Sequence, residues 1–261
     1  MLSFIIQFRY DSEDRLKNLL RGVIYLHNHF KNDSNILIID QDNNFDLLTN
    51  LFANYGITNA TIHSLHTSGP YHRSKVINQG LNFAKTDLCL IYDCDILIPV
   101  HQIKTSVLLA SNGYDVVYPF TCPQYDIPQE YFTSFQLDYD FDQIKKIISP
   151  RKWGEPDELM LKHGHGGFGM LINKQTAKNL SYFNEDFNGW GYEDGEFLFR
   201  LNKFGAKISR AWGPVFHVEH DRTLQNQDSN YTVRNIGLYN YIRSMNNDDL
   251  ENYYKQRNLI N

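Results

Sequence analysis

Leu88-Cys-Leu-Ile-Tyr-Asp-Cys-Asp-Ile-Leu-Ile-Pro99 decides the reading of the fold. Leu88–Tyr92 is an apolar run of strand length, and it ends in two carboxylates, Asp93 and Asp95, set at i and i+2. Apolar runs of this kind belong to parallel strands covered on both faces, which read as continuous hydrophobic stretches. Upstream, strand and helix patterns alternate. Leu2–Phe8 reads as a strand, and Ser12–Phe30 as a helix with a stripe of Leu16, Leu19, Leu20, Val23, Ile24 and Leu26. Strands follow at Asn35–Asp40 and Thr61–Leu65, with helices at Phe45–Tyr55 and Ser74–Ala84. This order predicts an α/β fold: a mixed, mostly parallel central sheet with helices on both faces, which collects ligands at its strand carboxyl ends.

Downstream, Val116–Phe120 extends the sheet and residues 121–163, rich in Pro, Asp and aromatics, read as irregular. Phe168–Ile172 is a late strand, Glu193–Phe204 a helix, and Lys207–Arg210 with Val215–Val218 the closing strands. Asp221–Asn230 is polar, and loops of that composition are mobile when empty. Neither repeat nor linker interrupts the pattern, so a single domain over 1–261 is expected.

Composition narrows the function. Thirty acidic against 25 basic residues give a formal charge of −5, which argues against a nucleic-acid binder. No apolar run is long enough to span a membrane, and Met1–Tyr10 lacks a signal-peptide layout. Cys89, Cys94 and Cys122 form no metal spacing and suit a reducing cytoplasm.

Three clusters carry chemistry. The Asp93/Asp95 pair can hold a hard divalent cation that grips a diphosphate, although Asp-x-Asp alone is a common turn. His217-Val-Glu-His220 lies past an apolar strand with its histidines three apart, and mixed Asp/His ligation suits Mn²⁺. Zinc hydrolysis needs histidines four apart on a helix, with the glutamate beside the first, and this stretch does not provide that. Phe8-Arg9 ends the first strand, and Tyr71-His-Arg-Ser-Lys75 opens a helix. An aromatic can stack on a base there, while Arg and Lys at a helix start can bind phosphate. Last, Gly189-Trp-Gly191 runs through Tyr192 into Glu193 and Asp194 at a helix start. Trp190 offers a flat face for a sugar ring, and Asp194 is placed to take a hydroxyl proton. The plainer reading is an acidic helix N-terminus.

With these motifs in order, the chain resembles the β-1,4-galactosyltransferase family of inverting, GT-A (Rossmann-like) transferases. It is also similar to the N-acetylgalactosaminyl domains of bacterial chondroitin-type polymerases. The likeness runs from Phe4 to about Ile236. Gln7-Phe-Arg-Tyr-Asp11 stands for the family's Pro-Phe-Arg-Asn-Arg, and Tyr71-His-Arg-Ser-Lys75 for Phe-Asn-Arg-Ala-Lys. Asp93-Cys-Asp-Ile-Leu-Ile-Pro99 stands for Asp-Val-Asp-Leu-Ile-Pro, His165-Gly166-Gly167 for Phe-Gly-Gly, and Gly189-Trp-Gly-Tyr-Glu-Asp194 for Gly-Trp-Gly-Gly-Glu-Asp. His217–His220 takes the place of Met-x-x-His.

The resemblance implies Asp194 as catalytic base, and Trp190, Tyr192 and Glu193 as acceptor residues. Donor contacts would be Phe8, Arg9, Tyr71 (on uracil), Arg73, Lys75, Asp93, Gly166, Gly167 and Trp190. Asp95, His217 and His220 would hold Mn²⁺, and histidine in place of methionine admits Mg²⁺ too. Tyr192 in place of glycine points to a different acceptor; the family's bulky aromatic before the Gly-Gly segment is matched by Gly164 or His165, and Gly164 would leave room for an N-acetyl group. Residues 1–100 would form the nucleotide-sugar half and 101–240 the acceptor half, with a mobile loop at 218–234 and a helical tail at 235–261. The implied partners are UDP-galactose or UDP-N-acetylgalactosamine and a glycan or glycolipid acceptor. The setting is bacterial surface-polysaccharide synthesis in the cytoplasm, with peripheral association at the inner membrane face. The other readings are a retired carbohydrate-binding scaffold and a retaining N-acetylgalactosaminyltransferase.

Overall fold

The computed structural model describes residues 1–67, 69–152, 166–189, 191–221 and 229–256. Trp190, Gly164, His165 and residues 222–228 of the expected mobile loop lie outside the described residues. The alternation in the first half folds as read: β1 (Leu2–Phe8), α1 (Glu13–Phe30), β2 (Ser34–Asp40), α2 (Phe45–Asn54), β3 (Ala60–Ser64), α3 (Arg73–Phe83) and β4 (Leu88–Asp93). After the short β5 (Ile96–Leu97) come α4 (Val100–Ser111), β6 (Val116–Tyr118), β7 (Gln124–Ile127) and α5 (Phe141–Ile147). The chain continues with β8 (Gly169–Asn173), α6 (Lys174–Asn179), α7 (Glu193–Lys203), β9 (Ile208–Arg210), β10 (Val215–Val218), α8 (Ser229–Arg243) and α9 (Asn247–Gln256).

Seven strands form the main sheet in the order β3-β2-β1-β4-β8-β6-β9. β1 pairs in parallel with β2 and β4, and β8 runs antiparallel between β4 and β6. Successive side chains on β1 face opposite sides. The α1 residue Phe30 packs at a tilt against Phe4, with ring centroids 5.3 Å apart. On the other face, a methyl on α3's Gly80 would overlap Ile5 Cγ2 and lie 3.2 Å from Ile39 Cγ1. Helices therefore cover both faces, and β1 is buried along its whole length. This is the mixed α/β architecture of the GT-A type. Among the described residues, no helix is long and apolar enough to cross a membrane.

Two expectations change. The stretch read as irregular contains β7, which pairs in parallel with β10, while β10 pairs antiparallel with β5 to form a second, three-stranded sheet. The C-terminal helix starts at Ser229, inside the segment expected to be loop. It buries Tyr239 and Ile242, and the buried Asn235 donates from Nδ2 to Asn188 O (2.9 Å) and Gly191 O (3.1 Å). Behind it, α9 is tied to α7 through Tyr254, whose hydroxyl donates to Glu196 Oε1 at 2.7 Å. That carboxylate also holds the fully buried Arg200, at 2.6 Å from its Nε and 2.9 Å from its Nη2.

Candidate active site

The strand ends of β4, β5 and β10 build one cluster. β10 is set against β5 with His217 opposite Ile96, and Val218 N donates to Asp95 O at 2.7 Å. From α1, Asn18 donates to Val218 O (3.0 Å) and Glu219 O (3.3 Å), pinning the backbone between the two histidines. As a result, one ligand atom each from Asp95, His217 and His220 lies within 4.8 Å of the others. The ring contacts fit a cation. His217 Nδ1 bonds Asp126 Oδ1 at 3.0 Å, and His220 Nδ1 bonds Asp221 O at 2.9 Å. An acceptor at each Nδ1 favours a proton there, which would make Nε2 the nitrogen that meets a cation. His220 Nε2 already lies 3.2 Å from Asp95 Oδ2. Burial alone would raise the Asp95 carboxyl, but His220, His217 and Arg15 outweigh it and hold the group well below the usual carboxylate range. A cleft of about 520 Å³ opens beside this group, lined in part by Asp126, Arg151, His217 and His220.

A second cluster sits where α3 and α7 begin. Arg73, the first residue of α3, reaches Asp93 Oδ1 through Nη2 at 2.8 Å. Its Nη1 donates to Asp194 and lies 3.5 Å from Glu193 Oε1. Gln7 Nε2 also donates to Asp93. Burial drives the Asp93 and Asp194 carboxyls upward against the opposing pull of Arg73. Glu193 is pushed up to about 7 by burial and by the neighbouring Asp194, and its Oε2 has no hydrogen-bond partner. Gly166 packs on this helix start, since a Cβ there would lie 3.3 Å from Asp194 O. Gly167 accepts from Gly169 N, and Phe168 O accepts from Asp93 N, so the Gly-Gly segment lies against the end of β4.

Tyr71 lies between the two clusters. Gln41 holds its flanks, donating to Pro70 O at 2.8 Å and accepting from His72 N at 2.7 Å. Its hydroxyl is buried without a hydrogen-bond partner, close enough to feel the charges of Arg15 and Arg73. Lys75 is half-buried in the first turn of α3. Arg9 bonds Gly69 O at 3.0 Å and pairs with Asp42. Phe8 requires a correction: its side chain is fully buried in the core, so it has no surface to offer a donor. A strand-end aromatic in a parallel sheet is packing first. Tyr192 takes φ 74°, the left-handed conformation that a glycine adopts freely and a tyrosine does not. Its exposed ring lies 5.4 Å from that of Tyr239 on α8.

Several residues at the site carry no sequence signal. Arg15, in the first turn of α1, comes within 3.8 Å of Asp95 Oδ2 and 3.4 Å of His220 Nε2. Its i,i+4 spacing from Asp11 was the available clue, since the two pair at 3.8 Å. Asn18, Gln41 and Asp126 act through single amides or carboxylates that no motif marks, and Gln7 sits in a motif that assigned it no role.

Together these features define an α/β chain of the GT-A fold with a candidate cation site beside a buried carboxylate cluster. Comparison with known proteins carries the resemblance further. The family model described as the N-terminal domain of galactosyltransferase matches residues 159–221, which include the Gly-Gly segment, the Gly-Trp-Gly turn, Asp194 and both histidines. A hyaluronan synthase from Pasteurella multocida is 24% identical over 191 residues, covering 64% of this chain and 20% of its own length. TarS of S. aureus superposes with a TM-score of 0.57 at 14% identity, covering 83% of this chain and 60% of that one. A Drosophila β-1,4-galactosyltransferase 7, crystallised with manganese, UDP-Gal and xylobiose, gives a TM-score of 0.49 at 15% identity, covering 80% and 64%. The chain therefore spans about a fifth of the synthase and under two thirds of the solved chains. It is similar to galactosyltransferases in motif and to TarS in fold.

Proposed function

We propose that this chain is a metal-dependent inverting glycosyltransferase. It moves galactose or N-acetylgalactosamine from a UDP-sugar to a glycan or glycolipid hydroxyl, in bacterial surface-polysaccharide assembly on the cytoplasmic side of the membrane. One observation carries the reading: Arg73 links Asp93, at the end of the strand that leads to Asp95, with Asp194 at the start of α7. A cation-binding end and a base thus share one strand-end face.

Asp95, His217 and His220 would hold Mn²⁺ or Mg²⁺, which would offset charge on the departing diphosphate. Tyr71, Arg73 and Lys75, grouped at the α3 start, bind the anionic donor. Arg73 neutralises Asp194. A donor that draws Arg73 towards its own negative charge releases that carboxylate. Asp194 then takes the proton of the acceptor hydroxyl as it attacks C1, opposite the UDP oxygen. The new C1–O bond forms as the bond to UDP breaks, and the anomer inverts. A carboxyl raised by burial is a stronger base than an exposed one. Glu193 and Tyr192 receive the acceptor beside it.

Asp194→Asn tests this directly. Turnover should fall by about 10²–10⁴-fold while UDP binding holds. Near-native turnover would move the base elsewhere, and a retained anomer in the native product would overturn inversion.

A further inference from the structure

We propose that Asp126 is the positioning residue of the cation site, orienting His217 and making its ring a stronger ligand; the inference rests on the metal reading above. The argument begins with strand register. β7 and β10 run in parallel with His217 directly opposite Asp126. Residues opposite each other in a ladder share a face, and a slip of one residue would send Asp126 to the other side. Register thus places a carboxylate against one particular ring nitrogen, at 3.0 Å.

Asp126 is itself held. Gln124 Nε2 donates to Oδ1 at 2.5 Å, and Arg151 Nη1 lies 3.6 Å from Oδ2. Its carboxylate therefore has a fixed direction, a condition for fixing a second group. A carboxylate accepting from Nδ1–H locks the tautomer, stops the ring turning about its Cβ–Cγ bond and raises the basicity of Nε2. The two histidines are not equivalent in this respect. His220 Nδ1 bonds the neutral Asp221 carbonyl, whereas His217 bonds a charged group. His217 is accordingly the ligand whose strength depends on a residue remote in sequence.

The experiment measures Mn²⁺ binding by electron paramagnetic resonance on the full chain, with and without UDP, and counts imidazole ligands by ¹⁴N electron spin echo modulation. The native chain should show two coordinated imidazoles. Asp126→Ala should weaken Mn²⁺ by about 10–100-fold and lose one nitrogen coupling. Asp126→Asn, which keeps an acceptor but not the charge, should weaken Mn²⁺ less while keeping both couplings. The metal-free melting temperature of Asp126→Asn should match the native chain, which separates ligand orientation from simple misfolding. Native-like Mn²⁺ affinity with both couplings in Asp126→Ala would overturn the proposal. A native chain without imidazole-bound Mn²⁺ would sink the cation site itself, and the role of Asp126 with it.

Discussion

The two ends of the site are built in opposite ways. At the cation end, the pairing of β5 and β7 with β10 aims Asp95, His217 and Asp126, and backbone bonds from Val218 and Asn18 hold the frame. The side chains need only point where the strands already place them. At the carboxylate end, Asp93, Glu193 and Asp194 come from a strand end and a helix start, and a single guanidinium, Arg73, gathers all three. One end is organised by the backbone and the other by charge. On the proposed reading, such a site would keep its metal ligands fixed while its base is handed from one partner to another.

The comparison breaks most readily at its two arginines. Arg73→Leu would leave three crowded carboxylates with no counter-charge, and losing one partner of a buried ion pair costs about 3–5 kcal/mol. Arg15→Leu removes a guanidinium of similar burial from the cation end. There, on the proposed reading, Mn²⁺ would bind the same carboxylate and add stability by mass action. In denaturant titrations, saturating Mn²⁺ should recover more of the loss in Arg15→Leu, where it replaces the counter-charge beside Asp95, than in Arg73→Leu, where it adds only its ordinary binding term. Equal loss in both, with no rescue in either, would erase the distinction between the two ends.

The same contrast governs what could be read from the chain. The apolar strands β1, β2 and β4 announce themselves, and so do Asp95, His217, His220 and Asp194, because each sits at an element boundary beside a distinctive neighbour. What stayed hidden is polar and buried. α4 turns Gln102, Ile103 and Ser106 inward, so no apolar stripe marks it. α8 exposes Val233 and Tyr241 and buries Asn235 beside Tyr239 and Ile242, which blurs its apolar stripe. Asp126 lay in a segment whose prolines and aspartates suggested loop, and its partner strand is 91 residues away. Phe8 was misread because an aromatic at a strand end looks the same in sequence whether it stacks on a base or fills a core. Asn235 offers the next test. It bonds the carbonyls on either side of Trp190 from a fully buried position. Asn235→Ala leaves two acceptors unmatched, at a cost of about 1–3 kcal/mol. Acceptor KM should rise while Mn²⁺ affinity holds, since the braced turn belongs to the carboxylate end alone. A change in Mn²⁺ affinity would mean that the ends are mechanically joined.

The most gradual expected effect concerns charge at the carboxylate end. Burial and the adjacent Asp194 push Glu193 up to about 7, above its ordinary value of 4.5. Between those values the folded chain holds a proton that the unfolded chain has released. Linkage then fixes the sign: this residue's contribution to stability is complete below about 4.5, declines as pH rises and is lost above about 7. A single proton limits the slope to about 1.4 kcal/mol per pH unit. Glu193→Gln has no such proton, so its stability relative to the native chain should climb with pH across that window and level off on either side. A difference curve that stays flat from pH 4 to 8 would mean Glu193 is solvated rather than crowded. The carboxylate end would then not be held by charge in the way its geometry implies.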